Sequence, residues 1–326
     1  MTEIERPEIP TELQPSAHDV AFDLGAALDS VVSLRSEVPE GGFTARTLGT
    51  ERAGHAVVIN ERGLVVTIGY LVVEASQVWL MDNHGGGVEG HVMGYDQETG
   101  FGLVQPLGHL NAKPLEVGSS ADVGVGTSVI LAGHGGPASA VKTEVIDKRE
   151  FAGYWEYLLD EAIFTSPPHP LWGGGALIDA DGRLVGIGSL FVQEADESGS
   201  QQHGNMIVPI DILAPIMDEL TTYGRRQRPP RPWLGVFSAE SSGRVVVAGL
   251  WDGGPADQAG LQAGDLVIGI AGRPVADLGS FYRQYWSLGD AGVDVPLNVY
   301  RDGDVMEIVV ASAAREDFMT KVGTVH

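Results

Sequence analysis

The sequence predicts a mainly β protein of two domains, a barrel or sandwich followed by a second, smaller β unit. Three observations predict it. The chain has 326 residues, enough for two domains at roughly 100–200 residues each. Glycine is abundant, at 45 residues, and it falls between short apolar runs, the pattern of strands joined by tight turns. A Pro-rich, basic stretch, Gly224–Pro232, interrupts an otherwise acidic chain and reads as a linker.

The elements follow in order. Residues 1–16, with Pro7, Pro10 and Pro15, read as a flexible tail. Residues 17–29 fit a short amphipathic helix through Val20, Phe22, Leu24, Ala27 and Leu28. Strand-like runs follow at 56–59, 64–67, 77–81, 102–104, 128–131, 176–178 and 184–187. Asp179-Ala180-Asp181-Gly182 between the last two is a hairpin signal. Residues 192–205 are acidic and polar and read as a mobile loop. Ile210–Tyr223 carries Ile212, Leu213, Ile216 and Leu220 on one face of a helix. The first domain thus covers 17–223, the linker 224–232, the second domain 233–311, and a tail 312–326.

Composition excludes several functions. Hydrophobic residues make up 43% and charged residues 20%, so a packed core is expected. The net charge of −24 argues against nucleic-acid or anionic-membrane partners, because phosphate contacts need cations. There is no cysteine, which removes disulfides, thiolate metal sites and cysteine nucleophiles together. No histidine pair has the spacing of a His-Glu-x-x-His zinc site, so no metal or cofactor is expected. No apolar run approaches the ~20 residues that span a bilayer, and no basic start precedes an apolar one, so the expectation is a soluble cytoplasmic protein.

The stretch GPADQAGLQAGDLVIGIAGRPV, from Gly254, resembles a bacterial PDZ domain. Its chemistry is legible: Pro255 opens a short helix, Gly260 ends it in a left-handed conformation, and Gly264-Asp265 turns into the next strand. The resemblance implies capture of peptide or protein C-termini, the peptide adding as a strand and its carboxylate held by backbone N–H groups. The matching loop is Trp233-Leu234-Gly235-Val236, continuing into Phe237. Leu234 and Val236 would line the pocket, and Phe281 and Tyr285 on the following helix would form its other wall. For Leu234 and Val236, core and lining roles are not separable by sequence.

The whole stretch 20–311 resembles the HtrA/DegP family, implying a trypsin-like double β-barrel followed by a C-terminal PDZ domain. AALDSVVSLR, AGHAVVINERGLVVTIGYLVV, VEGHVMGYDQETGFGLVQP, HPLWGGGALIDADGRLVGIGSL and NMIVPIDILAPIMDEL match the family's segments in order. In that family a serine attacks, a histidine takes its proton and an aspartate holds the imidazole. The matching positions here are Tyr70 for histidine, Gly100 for aspartate and Gly173 for serine. Gly173 has no nucleophilic atom, and Tyr70, with an ordinary pKa near ~10, is no base at neutral pH. Leu171 replaces an oxyanion-hole glycine, and Trp172 is expected to fill the cleft beside it.

The resemblance therefore implies a pseudoprotease that binds C-termini as an adaptor, scaffold or regulator of a quality-control pathway. It further implies a homotrimer, or an assembly with an active paralogue. The alternative is an active serine-type endopeptidase using a relocated site. His169, four residues before Gly173, and Ser166 and Ser189 are the candidates for one. None stands in a Gly-x-Ser-x-Gly elbow, and His55, His84, His91, His134 and His169 are expected at the surface or in loops.

Overall fold

A computed structural model describes residues 7–193, 202–241 and 243–320. Helix α1 (Leu24–Asp29) is shorter than expected, because Asp23 caps it by accepting from the Ala26 N–H at 3.1 Å. The first barrel follows, with a short helix α2 (Ala45–Leu48) after its first strand. Its strands are β1 (Val31–Glu37), β2 (Glu51–Val58), β3 (Val65–Ile68), β4 (Gln77–Met81), β5 (Gly87–Tyr95) and β6 (Phe101–Pro106). They close in the order β1-β2-β3-β6-β5-β4. Alternation decides which side chains face in: Val78 and Leu80 of β4 are buried, while Gln77, Trp79 and Met81 are exposed.

The second barrel uses β7 (Ser128–Ala132), β8 (Ala140–Gly153), β9 (Tyr157–Ser166), β10 (Ala176–Ile178), β11 (Leu184–Val192) and β12 (Gly204–Pro209). It closes in the order β10-β11-β12-β9-β8-β7. Taken the other way round the ring, this is the connectivity of the first barrel. Val129, Leu131, Val145, Ile163, Leu177, Val185 and Ile207 fill its interior. Closure removes the open edges a six-stranded sheet would otherwise expose. The expected hairpin at 179–182 is present, with Asp179 Oδ1 accepting from the Asp181 and Arg183 N–H groups at 3.0 and 2.8 Å.

The expected helix at Ile210–Tyr223 is broken. Two 3-10 turns, Ile210–Ile212 and Ala214–Ile216, precede α3 (Met217–Tyr223). Pro215 lacks the N–H that would continue the helix through this point. Most of the expected loop at 192–205 lies outside the described residues. The expected tail 1–16, where described, holds a 3-10 turn at Thr11–Leu13 and buries Ile9.

The last sheet has the order β13 (Val236–Ser241), β14 (Arg244–Leu250), β15 (Leu266–Ile270), β17 (Asp294–Arg301) and β18 (Asp304–Ala311), with β16 (Arg273–Pro274) on β15. Helix α4 (Pro255–Gln258) starts at the expected proline, and Gly260 is left-handed at φ +83°. Helix α5 (Leu278–Trp286) is fixed at its start by a capping box between Asp277 and Ser280. Past β18 the expected tail is also structured: Trp233 and Ala313 exchange backbone hydrogen bonds, and the Trp233 ring lies 4.9 Å from Phe318.

The chain divides into two compact units. The first holds both barrels. The second comprises Glu150–Asp160 and Gln227–Met319. The division between Arg226 and Gln227 falls inside the stretch 224–232. The inclusion of Glu150–Asp160, the turn of the β8–β9 hairpin, is not expected from the sequence, and the reason lies in the second of the two sites described next. Among the described residues no helix is long and apolar enough to cross a membrane.

Candidate functional site

The first unit brings Tyr70, Gly100 and Gly173 together. Tyr70 lies in the 3-10 turn Gly69–Leu71 that ends β3. Gly100 turns the chain into β6 at φ +83°, and its carbonyl accepts from the Gly69 N–H at 2.6 Å. Tyr70 donates its hydroxyl to the Ser189 carbonyl at 2.9 Å and accepts from the Trp172 indole. Burial pushes the Tyr70 phenol well above its ordinary pKa, against a smaller opposing effect of that indole. A Cβ on Gly173 would meet the Tyr70 hydroxyl oxygen at 2.7 Å. The tyrosine oxygen therefore takes the space a side chain at 173 would need. Trp172 packs on Phe191, with ring centroids 5.6 Å apart.

The N–H groups around Gly173 are engaged with the chain itself. Gly174 donates to Gly188 O at 2.8 Å and Gly175 to Trp172 O at 3.0 Å. Leu171, at the expected oxyanion-hole position, donates its N–H to His169 Nδ1 at 2.9 Å.

His55, His134 and His169 are buried; His134 and His169 lie in loops, as the expectation of surface or loop positions allows, whereas His55 lies inside β2 and corrects it. Their ring nitrogens serve the backbone. His169 takes the Leu171 N–H on Nδ1, and its Nε2 lies 2.9 Å from the Ser139 carbonyl, which fixes the Nε2–H tautomer. Burial lowers its pKa, against the two backbone bonds, so it is neutral at pH 7. His55 Nδ1 accepts from the His134 N–H at 3.1 Å, and its Nε2 donates to Leu171 O at 3.1 Å. Both nitrogens of His55 and of His169 are thus hydrogen-bonded to backbone groups. His84 and His91 are exposed, as expected. Among the described residues no group of three or more His, Cys, Asp or Glu could hold a metal ion.

The second site belongs to the second unit. Gly235 adopts φ +76°, which turns successive N–H groups of the loop toward one point. That point holds the Glu156 carboxylate. Leu234 N–H donates to Oε2 at 2.9 Å, Gly235 N–H to Oε1 at 2.7 Å, and Val236 N–H to Oε1 at 3.0 Å. The Tyr285 hydroxyl donates to Oε2 at 2.7 Å. Glu156 is 6% exposed, and burial pushes its carboxyl upward against these donors.

The residues expected to form the peptide site differ in what they do. Leu234, Gly235 and Val236 do gather donors on a carboxylate. Trp233 does not, because its N–H is given to Ala313 at 3.0 Å. Leu234, Val236, Phe281 and Tyr285 are no open pocket wall: all four are buried in one core cluster with Leu158 of the hairpin. Phe237 is half-buried, with ring centroids 6.0 Å from Tyr154 and 5.2 Å from Trp251. Glu156 is the residue that sequence reasoning missed. Its only mark is to be the lone acid inside the aromatic run Phe151-Ala152-Gly153-Tyr154-Trp155-Glu156-Tyr157.

Comparison with known proteins agrees with this architecture. Residues 54–187 match the Trypsin-like peptidase domain family, and residues 232–311 match the PDZ domain family. The fold is therefore a trypsin-like double barrel joined to a PDZ domain. The chain is 24% identical over 323 residues to "Serine protease Do-like HtrA" of Bacillus subtilis (strain 168), covering 88% of this chain and 70% of that one. It is 27% identical over 278 residues to a "Probable periplasmic serine endoprotease DegP-like" of Halomonas elongata, covering 79% of this chain but only 55% of the relative. Among solved structures, "HtrA-type protease AlgW with decapeptide" superposes with a TM-score of 0.53 at 19% identity, over 90% of this chain and 99% of that one. The serine endoprotease from Yersinia pestis gives 0.51 at 18%, over 90% and 98%. Over most of its length the chain is thus similar to HtrA/DegP-like proteins.

Proposed function

We propose that this protein is a proteolytically silent HtrA-like binding protein whose PDZ domain captures protein C-termini. One observation carries the first half: the Tyr70 hydroxyl lies 2.7 Å from where the Cβ of residue 173 would stand. Triad hydrolysis needs a nucleophile, a base beside it and donors for the oxyanion. Position 173 offers no side-chain atom. Tyr70 is held protonated by burial and spends its proton on Ser189 O. The Leu171 N–H is held by His169. The site is therefore closed by substitution and by hydrogen bonding, not merely short of one residue.

Support for C-terminus capture is the set of three loop N–H groups on one carboxylate, the arrangement by which such loops hold a chain end. The role that follows is adaptor or regulator, alone as a trimer or mixed with an active paralogue. The test has two arms on the full chain. Casein and fluorogenic peptides should show no hydrolysis sensitive to diisopropyl fluorophosphate, and such hydrolysis would refute the first half. In a library of C-terminal decapeptides, some should bind with a free carboxylate and lose binding on amidation. A library with no carboxylate-dependent binder, screened also on the Glu156→Ala variant, would refute the second.

A further inference from the structure

The loop that would hold a foreign chain end is filled from within. Glu156 sits at the turn between β8 and β9, 78 to 80 residues before the N–H groups that bind it. The resemblance to a bound peptide extends beyond the carboxylate. Two residues earlier, the Tyr154 carbonyl accepts from the Ser238 N–H at 2.8 Å, the bond by which an added strand pairs with β13. The Tyr154 ring lies beside Phe237, although the side chain stays 58% exposed. The Glu156 N–H donates to the Tyr282 hydroxyl at 3.2 Å, and that hydroxyl donates to Gly153 O at 2.7 Å. Arg283 of α5 pairs with Glu150 and Asp160 at both ends of the segment.

We infer that Tyr154-Trp155-Glu156 is an internal ligand of the PDZ carboxylate loop, and that an external C-terminus binds only by displacing it. This rests on the peptide-capture reading above. A glutamate side chain replaces the terminal carboxylate because the chain must continue: Glu156 turns it away into β9 at φ +61°, a conformation that non-glycine residues rarely hold. The same features keep the internal ligand displaceable. A left-handed glutamate is strained, and a buried carboxylate surrenders water for its four donors. A terminal carboxylate brings the same acceptor atoms without the left-handed turn. Self-occupancy multiplies the loop's apparent affinity by the fraction of time it stands open. A loop open about 1% of the time binds about 100-fold more weakly than its contacts allow.

The test uses the full chain and a fluorescein-labelled peptide of residues 148–155 followed by a C-terminal leucine, with the amidated peptide as control. Glu156→Ala is expected to tighten binding of the free-acid peptide tenfold or more, with the amide binding poorly throughout. Equal affinity in wild type and variant overturns the internal-ligand inference while leaving peptide capture intact. Carboxylate-independent binding or none in both proteins, with none from the decapeptide library, overturns peptide capture itself. Because Glu156→Ala removes a buried side chain, a second measurement uses the unaltered protein. Saturating peptide should speed amide hydrogen exchange across Phe151–Leu159. Bound peptide with unchanged protection there overturns the inference.

Discussion

Gly173→Ser restores the atom a serine protease would need, and the structure predicts that the protein resists it. The new Cβ would stand 2.7 Å from the Tyr70 hydroxyl oxygen, where ordinary contact begins at 3.4 Å. That oxygen is not a loose end: it donates to Ser189 O at 2.9 Å and receives the Trp172 indole. Overpacking of such a site costs about 1–3 kcal/mol, which for a unit of this size lowers Tm by about 2–4 °C per kcal/mol. Tyr70→Phe removes the oxygen that the serine meets, but alone it leaves the Ser189 carbonyl without this donor, at about 1–3 kcal/mol. The double variant should therefore be more stable than the sum of the singles by about 1 kcal/mol or more, since residues in contact do not add. Thermal and urea unfolding of the full chain, followed by tryptophan fluorescence, reads this cycle. None of the three variants should hydrolyse casein, because no base stands at position 70. A Gly173→Ser protein that melts with wild type, or a cycle that closes additively, would refute the reasoning.

Two further outcomes follow from the second unit. Gly235→Ala puts a side chain at φ +76° with its Cβ 3.1 Å from the Trp233 ring. It should cost about 1–2 kcal/mol of stability and weaken carboxylate binding in the Glu156→Ala background; unchanged stability and binding would contradict the placement of the loop N–H groups. Arg301 grips Asp265 with Nε to Oδ1 at 2.5 Å and Nη2 to Oδ2 at 2.6 Å, and the Gln262 N–H adds a bond at 2.8 Å. Burial alone would raise the Asp265 pKa, but the Arg301 bonds and that N–H hold it below its usual 3.8. The unfolded chain thus takes up this proton first, so the stabilisation is complete above the unfolded value and is lost as pH falls through the lower folded one. Tm measured from pH 6 down to pH 2 should fall less steeply in Arg301→Met than in wild type; parallel curves would refute the assignment.

The sequence was legible where chemistry is local. Gly260 and Gly264 announce their turns because left-handed backbone selects glycine, and Asp179 announces its hairpin because its carboxylate bonds its own turn. Alternating or continuous β-branched runs gave the inner strands of both barrels. Legibility failed where partners are distant. The β8–β9 hairpin runs through Arg149-Glu150-Phe151-Ala152-Gly153-Tyr154, which has neither clean period nor turn dipeptide. Glu156 is chosen by N–H groups some 80 residues away, and no local pattern records that. His55, His134 and His169 look like surface residues by type, but each reaches a backbone carbonyl across the fold. The predicted helix at 210–223 failed for a visible reason, Pro215, whose effect its apolar spacing concealed.

We propose that one chain combines a protease frame without triad chemistry, at Tyr70, Gly100 and Gly173, with a PDZ loop occupied by its own Glu156. The most direct measurement is intact-mass analysis of the full chain after incubation with a fluorophosphonate probe, run beside casein hydrolysis. The account predicts unmodified protein and no hydrolysis. A stoichiometric adduct accompanied by casein cleavage would contradict it.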